Sequence, residues 1–328
     1  MNYFVGIDVS KEKLDLGWLR DVVRGKKKNK VQKNTPDGHR QVVEWLLKNT
    51  GAEPEEIVIT VEPTGIYHEP LLYELYSRGF RVFLVNPGKA RKYAEAVNQV
   101  HKTDKTDAIM LAYYGYAQYK KMAPWQPEAP EVRELKVMLR RLDALEKDLQ
   151  RERNRQEASE FSLSSERVIQ SLKDMIQVLE AEIARLQKDI DDHIGRYPEL
   201  KRNRQLLESI KGIGPVMSRE LVYLFSSKTF KSAKQAAAYV GLIPKLRESG
   251  TLKGRTPLSK VGNARIRAKL YMAAVSASTH NPDIKAQKAR LLKAGKVKMQ
   301  TIGAAMRKLI QICFGVIKHQ SEYQPQVT

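Results

Sequence analysis

Two aspartates, Asp104 and Asp107, stand three residues apart in "HKTDKTDA", residues 101–108, with lysines around them. In a helix, positions i and i+3 share a face with Cβ atoms about 5–6 Å apart, so the pair would point the same way from a first turn. Such a pair can cap the helix and complement its dipole, or it can form half of a metal site. Two further carboxylates bear on the choice. Asp8 lies at the end of "YFVGIDV" and Glu62 at the end of "EIVITVE", both apolar runs that predict buried strands. Strand ends on one edge of an α/β sheet are where sites form. Four carboxylates gathered there would repel one another unless cations bind. Oxygen donors without histidine or cysteine favour Mg²⁺ or Mn²⁺. Two such ions about 3.5–4 Å apart polarise a phosphodiester and activate the attacking oxygen.

The elements that must position these residues follow from the pattern. After the first strand, "KLDLGWL" alternates and reads as a second, and "RGKKKNK", 24–30, reads as a basic turn between strands. "TPDGHRQVVEWLLKN" reads as a helix with Thr35 as its cap and Pro36 in its first turn. "IYHEPLLYELYSRG" is helical and closes at Gly79; "FRVFLVNP" is a strand stopped by Pro87; "GKARKYAEAV" and "TDKTDAIMLAYYGYAQ" are helices. Three strands followed by strand–helix alternation predict a mixed sheet, the layout of a ribonuclease H-like domain over residues 1–124. "APWQPEAPE", 123–131, reads as a proline-rich linker. Leu135, Leu139, Leu142 and Leu149, then Ile169, Leu172, Ile176, Leu179, Ile183, Leu186 and Ile190, keep a 3-4 spacing with a break at 157–165. That pattern predicts a coiled-coil helical hairpin in a middle region, 125–200, able to join copies of the chain; a helical arm packed on its own domain would read the same way.

The third region, 201–328, is basic and mostly helical. It opens with "LLESIKGIGPVMSRELVYLF", two helical stretches around a glycine turn, which is similar to a helix-hairpin-helix. Lys211, Gly212 and Gly214 would present backbone N–H groups and a cation to a phosphate; an ordinary tight turn is the alternative. A basic loop, 243–263, and the helix after it add Lys245, Arg247, Lys253, Arg255, Lys260, Arg265 and Arg267 as nucleic-acid contacts.

Charge distribution points the same way. The 328 residues carry a net +21, yet residues 1–200 hold 33 Lys and Arg against 32 Asp and Glu, whereas residues 201–328 hold 25 against 5. A phosphate backbone rewards that bias through counterion release, which makes nucleic acid the expected partner. No apolar run approaches the ~20 residues of a membrane span, and the N-terminus has no secretory pattern, so a cytoplasmic, nucleoid-associated location is expected. The single cysteine, Cys313, sits in an apolar helical pattern and reads as core.

"GIDVSKEKLD", "VEPTGIYHEPL", "VNPGKARKYA" and "KTDKTDAIMLA", with "LLESIKGIGPVMSREL", "AYVGLIPKLRESGTLKG" and "LSKVGNARIRAKLYMAA" after them, resemble in order and spacing the DEDD recombinases of insertion sequences related to the Piv DNA invertase. The resemblance spans nearly the whole chain. It implies a Holliday-junction-resolvase-like domain whose tetrad falls on Asp8, Glu62, Asp104 and Asp107, and a C-terminal transposase domain whose serine nucleophile falls on Ser249 in "RESG". It implies DNA as substrate and, from one branch of the family, a structured guide RNA made by the element. A homo-oligomer, dimer or tetramer, is expected through the coiled coil. By its residues alone, Ser249 reads as a phosphate-contacting loop serine, since a hydroxyl needs a base or metal to become a nucleophile. Two other functions stay open on the sequence: a metal-dependent junction nuclease using water, and an architectural DNA-binding protein without catalysis.

Overall fold

The computed structural model describes residues 2–63, 65–97, 103–162, 165–245 and 257–326, with the backbone of 248–249 and 252–253. The chain divides into two compact units, Met1–Pro127 and Glu128–Thr328.

In the first unit, β1 (Tyr3–Val9), β2 (Lys13–Asp21) and β3 (Lys26–Lys33) form an antiparallel meander. A helix, α1 (Pro36–Thr50), leads to β4 (Ile57–Glu62) on the far side of β1, and α2 (Glu69–Ser77) leads to β5 (Arg81–Leu84). The sheet order is β3-β2-β1-β4-β5, with β4 and β5 parallel to β1. Two helices complete the unit, α3 (Pro87–Ala96) and α4 (Asp104–Gln118). On one sheet face Val5, Ile7, Leu14, Leu16, Ile57 and Ile59 pack with Val42 and Leu46 of α1 and Leu71 and Leu75 of α2. The other face takes α4.

The "RGKKKNK" segment differs from its expected role as a turn. The turn is confined to Val22–Gly25, and Lys26 onward is strand. Turn composition misled because β3 is an edge strand whose side chains are exposed, apart from a half-buried Gln32. Lysines there cost no burial, and they guard an unpaired edge against pairing with other chains. The linker expectation at 123–131 also changes in part: Trp125 donates its backbone N–H to the Val82 carbonyl at 2.7 Å and packs edge-on against Tyr73 and Tyr76.

The second unit is almost entirely helical. Two long helices, α5 (Pro130–Phe161) and α6 (Glu166–Arg196), run antiparallel, with Arg153 paired to Glu180 and His193 bonded to the Glu131 carbonyl. Their bases share one core with α7 (Pro198–Glu208), α8 (Pro215–Ser227), α9 (Ala233–Tyr239), α10 (Ala264–His280), α11 (Pro282–Lys293) and α12 (Lys298–His319). Leu135, Leu139, Leu142 and Ile190 are buried in it, and so is Cys313. Further out, Ile169, Leu172, Ile176 and Leu179 are half-exposed. A short ribbon, β6 (Glu248–Ser249) and β7 (Leu252–Lys253), stands between α9 and α10 in sequence. No helix among the described residues is long and apolar enough to cross a membrane.

Candidate functional site

Asp8 and Glu62 are direct partners in the parallel register of β1 and β4, on the sheet face that takes α4. Parallel neighbours lie about 4.8 Å apart, so the two carboxylates leave the sheet side by side. Asn34 fixes both loops behind them. Its side-chain amide donates to the Ser10 carbonyl at 2.8 Å and the Tyr67 carbonyl at 3.0 Å, while its oxygen meets His39 Nε2 at 2.7 Å.

Asp104 and Asp107 occupy the first turn of α4, yet they do not cap it. Thr103 and Thr106 do so reciprocally. Thr103 Oγ1 accepts from the Thr106 N–H at 3.3 Å, and Thr106 Oγ1 accepts from the Thr103 N–H at 2.8 Å. The capping is thus done by threonines.

Glycines bring that turn to the sheet. A Cβ on Gly6 of β1 would lie 2.0 Å from the Ala108 carbonyl oxygen and 2.5 Å from the Ala112 nitrogen. One on Gly17 of β2, which pairs with Gly6, would lie 2.7 Å from the Ile109 nitrogen. One on Gly115 would lie 2.2 Å from Thr60 Oγ1. Backbone therefore rests on backbone over the first half of α4, and Gly115 makes room for the Thr60 side chain further along. Its N-terminal carboxylates join Asp8 and Glu62 around a cleft of about 840 Å³, whose opposite wall is α3 with Pro87, Arg91 and Glu95.

The electrostatics agree with a crowded anionic cleft. The Asp8 carboxyl is pushed up to about 6, first by burial, then by Asp104, Asp107, Glu62 and Asp15. Asp15 is a fifth carboxylate that sequence reading missed. It sits opposite Asp8 on β2 and is buried. Lys13 was missed as well. Its ammonium lies 2.6 Å from Asp104 Oδ2 and 3.0 Å from Asp15 Oδ2. That contact holds the Asp104 carboxyl below its usual range, and the two carboxylates hold the lysine above its own. The signal for both was in the alternation of "KLDLGW", which places Lys13 and Asp15 on the face opposite Leu14 and Leu16.

The donors are all carboxylate oxygens, which suits a hard divalent cation. As they stand, no three His, Cys, Asp or Glu side chains among the described residues close around a single point; Lys13 already takes a cation's place on Asp104. The donor chemistry fits the group, and the closure of the set is incomplete.

In the second unit, the turn between α7 and α8 carries Lys211, Gly212 and Gly214. Lys211 and Gly214 are exposed. Gly212 has φ +103°, and a Cβ there would lie 2.6 Å from that of Ala277 on α10. Asn281 donates to the Lys211 carbonyl at 3.2 Å and fixes the turn from the same side. The basic loop is a ribbon. Lys245 donates its backbone N–H to the Pro257 carbonyl and Ser259 to that of Ile243, each at 2.8 Å, at its base. Ser249 pairs with Leu252 further out, and Glu248 with Lys253. The base is held by "YVGL" against "KVGN": a Cβ on Gly262 would lie 2.2 Å from the Tyr239 carbonyl oxygen. Lys245 and Lys260 are exposed. Arg247 and Arg255 lie outside the described residues, as do the side chains of Ser249 and Lys253.

Two arginines named as contacts point inward instead. Arg265 is 2.8 Å from the fully buried Glu220 carboxylate and donates to the Leu139 carbonyl at 2.9 Å. Arg267 donates to the Val240 carbonyl at 2.9 Å. A basic helix pattern cannot distinguish a cation facing solvent from one answering a buried acid on another helix.

Residues 5–159 match the family model of the IS110 DEDD transposases, described as "Transposase", and residues 204–289 match that described as "Transposase IS116/IS110/IS902 family". The chain belongs to the IS110 family of transposases. Across 99% of its length it is 29% identical to the pilin gene-inverting protein of Moraxella bovis, covering 98% of that protein, and equally so to its counterpart in Moraxella lacunata. A probable family 20 transposase of Pseudomonas aeruginosa is 31% identical over 108 residues, 33% of this chain and 31% of that one. As an IS110 transposase the chain is an enzyme of DNA recombination.

Proposed function

We propose that the protein is a site-specific DNA recombinase of an insertion sequence that cuts and rejoins strands through Ser249, with Mg²⁺ or Mn²⁺ at Asp8, Glu62, Asp104 and Asp107. The observation that carries the reading is the meeting of these four carboxylates at one cleft in a chain of a transposase family. The strand order 3-2-1-4-5, with β4 and β5 parallel to β1, supports a ribonuclease H-like, junction-resolvase-like unit. A divalent cation bound there would supply Lewis acidity toward a scissile phosphodiester.

The chain's own residues define the remaining steps. Lys211, Lys245 and Lys260, exposed in the basic unit, hold phosphates without reading sequence. The hydroxyl oxygen of Ser249 attacks phosphorus, forming a serine–phosphate bond as one DNA P–O bond breaks. The departing DNA oxygen leaves as a hydroxyl and takes up the serine proton. A hydroxyl of a different strand then reverses the step and frees the serine. Each exchange replaces one phosphodiester by another, so no external energy source is needed. The glycine turn of α7 and α8 serves as a helix-hairpin-helix-like phosphate contact. The helical hairpin of α5 and α6, with its half-exposed apolar stripe, serves as a coiled coil between copies. A structured guide RNA supplies target sequence by base pairing, because the protein has a basic surface but no evident base-reading motif.

The test is a denaturing gel of the full-length protein with labelled DNA, guide RNA and Mg²⁺, with and without protease. Wild-type protein is expected to leave a protease-sensitive adduct that Ser249→Ala and EDTA both abolish. Equal cleavage by Ser249→Ala with no adduct in the wild type overturns the serine assignment in favour of a water-using nuclease. Undiminished cleavage in EDTA overturns the metal.

A further inference from the structure

Lys13 is placed with unusual care for a surface lysine. It opens β2 immediately after a turn closed by three bonds. The Ser10 N–H donates to the Lys13 carbonyl at 2.9 Å, the Ser10 hydroxyl donates to the same carbonyl at 2.9 Å, and the Lys13 N–H donates to Ser10 Oγ at 3.1 Å. From that fixed base the ammonium reaches Asp104, 91 residues away in sequence, and Asp15, whose side chain is only 6% exposed. An ordinary exposed pair is worth little, because water competes for both partners and long side chains lose entropy. Here Asp15 is buried, and Asp104, whose side chain is 56% exposed, lines a cleft crowded with carboxylates. One ammonium therefore neutralises a carboxylate that cannot reach water and ties down one that the proposed metal needs.

We propose that Lys13 is a tethered counter-ion of the catalytic cleft, which holds Asp104 while the cleft lacks a divalent cation and yields Asp104 when one enters. This inference rests on the metal reading above and specifies how that site is regulated. While Lys13 occupies Asp104, only the fraction of molecules with the contact open presents the full donor set, so the apparent cation affinity falls by that fraction. By linkage, bound cation must weaken the Lys13–Asp104 contact to the same extent. The device keeps an acidic cleft folded in the metal-free protein and makes cation loading an exchange of one positive charge for another. Lys13 is thus a positioning residue.

The experiment measures Mn²⁺ binding to the full-length protein by calorimetry, without nucleic acid, for wild type, Lys13→Met, Asp104→Asn and the double variant Lys13→Met with Asp15→Asn. The double variant removes the lysine together with the buried charge it answers, so it folds even if the single one does not. Loss of Lys13 is expected to tighten Mn²⁺ binding about tenfold, corresponding to a contact open in about a tenth of the molecules. It is also expected to lower the thermal midpoint in EDTA, with the difference from wild type closing as Mn²⁺ saturates. Equal or weaker binding in the variants lacking Lys13, with wild type binding normally, overturns the inference alone. Absence of Mn²⁺ binding in wild type, indistinguishable from Asp104→Asn, overturns the metal reading and the inference with it.

Discussion

Asp8 and Glu62 face the same side of the sheet as register partners on two parallel strands, with 53 residues between them in sequence, including β2, β3 and α1. No loop movement is needed to assemble this half of the site; strand pairing does it. The other half, Asp104 and Asp107, depends on how closely one helix can approach.

The charge of Asp8 should be visible in stability. Its folded-state carboxyl titrates near 6 against an ordinary value of 3.8. Between those values the native protein keeps a proton that the unfolded chain has lost, so stability falls as pH rises through that window. Asp8→Asn removes the effect. In EDTA it should stabilise the protein at pH 7.5 by about 1–2 kcal/mol after allowance for partial exposure, and leave it unchanged at pH 3.5. Urea denaturation at the two pH values measures both.

Gly6→Ala should disable the site without touching a carboxylate. The added methyl meets helix backbone rather than a flexible side chain, so α4 must move away. Overpacking of this kind costs about 1–3 kcal/mol or more. Strand cleavage is expected to be lost, while salt-dependent nucleic-acid binding by the second unit survives. Wild-type cleavage by this variant would show that the carboxylates tolerate a displaced helix.

Arg265 gives a sharp contrast between a structural cation and a phosphate contact. Glu220 is fully buried, and its burial pushes the carboxyl up even with Arg265 and Lys269 beside it. Arg265→Met should destabilise the protein by about 3 kcal/mol, the low end for breaking a buried pair because Lys269 remains. Glu220→Gln should cost less. A thermal scan reads both, and an unchanged midpoint for Arg265→Met would contradict the buried pairing.

Lys211 and Lys245 should behave in the opposite way. Both are exposed, so Lys→Gln at either is expected to leave the midpoint unchanged. Each should reduce the slope of log affinity against log salt on duplex DNA by about 0.9. Anisotropy titrations at several salt concentrations measure the slopes.

Much of the first unit could be read from sequence because its signals are local. Buried strands announce themselves as apolar runs, and Asp8 and Glu62 end two of them. What could not be read was the reason α4 lies where it does. Gly6 and Gly17 look like breaks in strand propensity until the helix is seen resting on them. Lys13 and Asp15 belong to the site only through antiparallel pairing with β1, a non-local fact. The β3 lysines read as a turn because exposure, which permits them, is set by position at the sheet edge. In the second unit, Arg265 and Lys269 answer an acid on another helix, and no pattern within α10 distinguishes them from cations facing solvent.

The line of contact through Gly6, Gly17 and Gly115 has a consequence for reading variation in this family. In a complete substitution map of the protein, these glycines would show as intolerant as the acidic residues, although they take no part in chemistry. An approach that ranks positions by intolerance alone would merge the two groups. They separate only when abundance and activity are scored independently: carboxylate variants would accumulate as inactive protein, whereas glycine variants would be depleted in both measures.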